Sequence, residues 1–117
     1  MAKIDINVAD IKDRPAMPEG VYEGRIEDFS DIKVDKNGAN YIKVTSRFEF
    51  GGEVYIISDN YVKLDSTKFR DMVRSTGHGD FVSDTIELIG SPVMCKIAQE
   101  MYEGRIVNKI EGYVPKK

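Results

Sequence analysis

Tyr41, Lys43 and Arg47 occupy alternate positions within seven residues, so a β-strand there would carry one ring and two cations on a single face. Ile42, Val44, Ser46, Phe48 and Phe50 take the opposite face, as a core requires. Aromatic rings hold unstacked bases at about 1–3 kcal/mol per base while Lys and Arg follow the phosphates. The wet face of this strand is therefore equipped for single-stranded nucleic acid. The ordinary reading is that tyrosines are common strand residues and that Lys43 and Arg47 are a solvated sheet face.

Residues 53–63 form the second arm of a hairpin with residues 41–50, and its register decides which further tyrosines join the site. A two-residue Gly51-Gly52 turn would place Tyr55, Ile57, Asp59 and Tyr61 on the core face, burying Asp59 with no visible partner. A three-residue connection that includes Glu53 buries Val54 and Ile56 and leaves Tyr55, Asp59 and Tyr61 beside Lys43 and Arg47. The cost of an unpaired buried carboxylate favours the second register. Lys36 and Asn37 lie in the preceding turn, Asp35-Lys36-Asn37-Gly38, and Tyr102 and Arg105 lie at a later hairpin.

Around these residues the chain reads as short strands with one clear helix. Residues 1–18 are polar, carry Pro15 and Pro18, and are expected to form an N-terminal arm over a single domain at 19–117. Residues 20–29 alternate as a first strand, with Gly24 marking a bend or bulge. Asp65 or Ser66 can cap a helix with Phe69, Met72 and Val73 on one stripe and Gly77 at its end. Residues 84–89 are expected to add a helical turn, after which 93–98 and 104–114 close as a hairpin near 100–103.

At 117 residues and 41% hydrophobic, the chain supports one core. No apolar run approaches the roughly 20 residues that cross a bilayer, and acids stand where a secretory leader needs apolar residues. No membrane association is expected, and the expected setting is the cytoplasm. Cys95, alone and in an apolar run, reads as a buried thiol; His78, alone between glycines, reads as a loop residue, so no metal or cofactor is assigned. The net charge of -3 runs against phosphate binding, but residues 91–117 carry five cations and three acids.

Strand, strand, strand, helix, strand, strand, with glycine bends, predicts a mainly β protein with one or two short helices. The order matches an OB-fold, a five-stranded Greek-key barrel with a helix between strands 3 and 4. Such a barrel presents strands two and three and the first- and last-hairpin loops to its ligand, which gathers Lys36, Tyr41, Lys43, Arg47, Tyr55, Tyr61, Tyr102 and Arg105 into one candidate nucleic-acid site.

Met17-Pro18-Glu19-Gly20-Val21-Tyr22, the polar turn before Tyr41-Ile42-Lys43-Val44, the mid-chain helix and Asn108-Lys109-Ile110-Glu111-Gly112-Tyr113 together resemble a family of small bacteriophage OB-fold single-stranded DNA-binding proteins. The resemblance covers most of the domain. It implies sequence-tolerant DNA binding in phage replication or recombination, in the host cytoplasm. The family's hairpin after the second strand is often longer and more basic than Phe50-Gly51-Gly52-Glu53 here. The chain also ends Pro115-Lys116-Lys117, not in the acidic tail by which many such proteins recruit partners.

No enzyme is expected, because no base, nucleophile or metal set is visible and Glu27 and Asp28, as strand neighbours, point to opposite faces. The rival reading is a protein-binding OB module, an adaptor or dimerisation unit of a phage replication or recombination complex, which allows a homodimer through exposed strand edges.

Overall fold

The structure, a computed structural model, describes residues 2–3 and 15–115. Residues 4–14 of the expected arm lie outside the described residues. Six antiparallel strands form one sheet: β1 (Gly20–Phe29), β2 (Lys33–Val34), β3 (Asn40–Phe50), β4 (Glu53–Lys63), β5 (Pro92–Tyr102) and β6 (Arg105–Tyr113). One helix, α1 (Thr67–Ser75), follows β4, and a short 3-10 turn at Thr85–Leu88 precedes β5. No helix among the described residues is long and apolar enough to cross a membrane.

β3 is the hub of the sheet. It pairs with β4 along one edge, and with β1 and then β2 along the other, while β5 joins β1 to β6. Register slips at Ile26/Asp28, Ile42/Val44 and Lys96/Ile97 bend the ladders, as bulges do. The sheet curls until β4 and β6 approach each other, but no ladder joins them, so it stays open. α1 packs against β4, β5 and β6 at this seam.

Ser66 caps α1, its hydroxyl accepting from the Phe69 amide at 3.2 Å, and Met72 and Val73 enter the core. Asp84 and Glu87 form a capping box on the 3-10 turn. Both helical segments thus follow from local capping signals.

The first arm of the central hairpin has the expected faces: Ile42, Val44, Ser46 and Phe48 are buried, and Lys43 and Arg47 are exposed. Phe50, at its end, is exposed instead of buried and meets Tyr22 edge-on with ring centroids 5.7 Å apart. The expected three-residue connection is not what forms. Phe50 pairs with Glu53, and Gly51 and Gly52 take positive φ values of 60° and 80°, which makes a tight two-residue turn. Tyr55, Ile57 and Asp59 are consequently buried and Val54 and Ile56 exposed, the reverse of the favoured register. The presumed penalty on Asp59 is absent because partners arrive from elsewhere in the chain. Asp59 Oδ2 receives the Lys68 ammonium of α1 at 2.8 Å and the Tyr113 hydroxyl of β6 at 3.3 Å. Lys68 also donates to the Ile110 carbonyl at 3.4 Å, so polar side chains span the seam where backbone bonds do not.

Gly24 lies two residues before the register slip in β1 and serves close packing. A Cβ there would lie 2.6 Å from the Phe48 ring and 2.8 Å from the Arg47 carbonyl, so the glycine lets Phe48 pack directly on β1. Met17 is fully buried, its amide donating to Asn108 Oδ1 at 2.8 Å and its carbonyl accepting from Asn108 and Gln99 at 2.9 Å each. The end of the expected arm is therefore part of the core.

Candidate nucleic-acid interface

Three short local choices build the outer surface at the β2–β3–β4 end of the sheet. Asp35 closes the β2–β3 turn: its Oδ1 accepts from the amides of Asn37 at 2.8 Å and Ala39 at 2.9 Å. That turn sets the register that puts Lys33 beside Tyr41, while β4 sets Lys63 on the other side of Tyr41. Directly paired residues share a face, so Lys33, Tyr41 and Lys63 form one cross-strand row. The slip between Ile42 and Val44 gives β4 one extra residue between Asp59 and Val62. Tyr61 is thereby turned outward although Tyr55, Ile57 and Asp59 on the same strand point inward.

Tyr41 and Tyr61 stack, with centroids 4.6 Å apart and planes 39° apart, and Tyr61 remains 45% exposed. The Tyr61 hydroxyl donates to Asp35 Oδ2. That bond, followed by the Ala39 amide, holds the Asp35 carboxyl below its ordinary value, and the same bond raises the Tyr61 phenol. Lys36, in the turn, and Lys43, two residues along β3 from Tyr41, are both exposed. The arrangement is an aromatic surface flanked by Lys33 and Lys63, with Lys36 and Lys43 exposed at nearby positions of the turn and strand, Asp35 bonded into it and the Asp65 carboxylate acting on the Tyr61 phenol.

The other expected site residues are placed differently. Arg47 shares the outer face but lies six residues from Tyr41, about 20 Å along an extended strand. It is partly neutralised by Glu49 at 3.5 Å and Glu27 at 4.0 Å. Tyr55 is buried at 9% exposure and its hydroxyl donates to the Pro15 carbonyl at 2.9 Å, so its ring offers no platform; the tight turn is the reason. Tyr102 and Arg105 face each other at the end of the β5–β6 hairpin. Arg105 lines an open groove of about 880 Å³ along the seam with Tyr55, Ile56, Met101 and Ile106, and neither Tyr41 nor Tyr61 lines it. The structure thus brings together Lys36, Tyr41, Lys43 and Tyr61, and separates them from Tyr55, Tyr102 and Arg105.

Lys33, Asp35 and Lys63 are the residues that sequence reasoning missed. Lys33–Val34 is too short for any periodicity to register. A three-residue loop, Lys36-Asn37-Gly38, sets Asp35 opposite Ala39 and hence Lys33 opposite Tyr41, whereas counting back from a tight four-residue turn at 35–38 would have set Lys33 opposite Asn40. Searches for a matching protein-family model and for a matching curated protein find none.

Proposed function

We propose that this protein binds single-stranded DNA without strong sequence preference, stacking bases on the Tyr41–Tyr61 surface and steering phosphates with Lys33, Lys36, Lys43 and Lys63. The observation that carries the reading is the pairing of half-buried Tyr41, set between Lys33 and Lys63 in a cross-strand row, with exposed Tyr61. Net charge of -3 is no obstacle, because binding depends on where the cations gather. We further read the fold as an OB-type barrel left unladdered at one seam. Support comes from the strand path, in which β1 joins both β3 and β5, from α1 following the third long strand, and from the convergence of β4 on β6. A role in phage DNA replication or recombination is the setting implied by the sequence resemblance.

Titration of a fluorescently labelled oligothymidine across a salt series tests the reading. Binding at low salt that weakens steeply as salt rises is expected, since each phosphate contact releases counterions. Binding that is absent at low salt, or indifferent to salt, would overturn it in favour of a protein-binding adaptor.

A further inference from the structure

Asp35 is an anomaly in a surface meant for phosphates. Its carboxylate is bonded to Tyr61 in a site flanked by Lys33 and Lys63, with Lys36 and Lys43 exposed nearby, and by charge alone it opposes an anionic ligand. Its geometry, however, is fixed from three directions. Two turn amides hold Oδ1, at 2.8 and 2.9 Å, and the Tyr61 hydroxyl bonds Oδ2. The turn is itself closed by backbone bonds of 3.0 Å from Asp35 to Ala39 and from Gly38 to Asp35. A side chain so anchored transmits the position of the β2–β3 turn to the ring of Tyr61.

The ring spacing then limits how a base can enter. A base inserted between two rings needs about 7 Å, twice a stacking rise of about 3.4 Å. Tyr41 and Tyr61 are 4.6 Å apart and tilted by 39°, which leaves no such slot. Opening one by moving Tyr61 would break its bond to Asp35.

We propose that Asp35 is a positioning residue: by holding the Tyr61 hydroxyl it keeps the tyrosine pair closed, so that the pair receives one base on its outer side and none between the rings. The inference rests on the single-strand reading above and specifies how that site is used. A carboxylate accepts a hydroxyl about twice as strongly as a neutral acceptor does, which gives the acid a function that outweighs its unfavourable charge.

Two substitutions separate this role from that of a bystander charge. Asp35→Asn keeps an oxygen for the two turn amides but removes the charge, and Tyr61→Phe keeps the ring but removes the hydroxyl. Each is expected to weaken binding of labelled oligothymidine at low salt by about three- to ten-fold with an unchanged thermal midpoint, and the double variant to be no weaker than Tyr61→Phe alone. A bystander acid predicts the opposite for Asp35→Asn, tighter binding; that result, or unchanged binding by Tyr61→Phe, overturns the proposal. Alkaline absorbance titration without DNA reads the anchor separately: Asp35→Asn should show one phenol fewer titrating above its ordinary value. An unchanged titration refutes the anchor, whereas absent binding by the wild type refutes the single-strand reading.

Discussion

Replacing Asp59 with alanine should weaken the fold chiefly by stranding Tyr113. Tyr113 is 4% exposed and donates to Asp59 Oδ2, while Lys68, 30% exposed at its side chain, reaches the same oxygen from α1. A buried hydroxyl left without an acceptor costs about 1–3 kcal/mol. The ammonium of Lys68 can turn to solvent, so the loss of its ion pair adds at most about 1 kcal/mol. The expected loss is about 1–4 kcal/mol, which for a chain of 117 residues lowers the thermal midpoint by about 4–16 °C. Urea unfolding followed by circular dichroism, with a thermal scan beside it, measures both. The diagnostic arm is Tyr113→Phe in the Asp59→Ala background, which removes the stranded hydroxyl and should recover about half of the loss. A single-variant loss below about 1 kcal/mol, or no recovery in the double variant, would mean that the seam is not held by this cluster.

Tyr41→Ala should weaken oligothymidine binding by about 1–3 kcal/mol, roughly 5- to 150-fold, with little change in thermal midpoint. A large drop in midpoint would place the ring in the core. Gly24→Ala should destabilise by about 1–3 kcal/mol in urea titration, because the new methyl meets both the Phe48 ring and the Arg47 carbonyl; an unchanged midpoint would refute the close packing of β1 on β3. Ser46→Ala should be neutral or stabilising in the same assay, since the buried Ser46 hydroxyl has no hydrogen-bond partner among the described residues. Burial, with a smaller effect from Asp59, pushes the Cys95 thiol up to about 12. The thiolate is thus scarce at pH 8 and gains population only as pH rises, so iodoacetamide at pH 8 should modify Cys95 only after denaturation.

The sequence by itself determined the elements whose signals are local. Alternation over residues 41–48 fixes which side of β3 is wet, because a side chain has only two faces to choose from. Ser66 and Asp84 mark their helical segments because a cap bonds to amides two or three residues away. The exposure of Lys43, on the wet side of β3, was legible for the same reason, and Cys95 as a buried thiol. Tertiary structure decided the rest. The register of β4 turned on whether Asp59 has partners, and those are Lys68 and Tyr113, 9 and 54 residues later in the chain. An unpaired carboxylate is costly and a paired one is tolerable, so the same hairpin takes opposite registers under the two assumptions. The outward turn of Tyr61 came from a one-residue slip between Asp59 and Val62, which strict alternation cannot contain. The row of Lys33, Tyr41 and Lys63 exists only once three strands are aligned, since cross-strand neighbours are set by pairing and not by proximity in sequence.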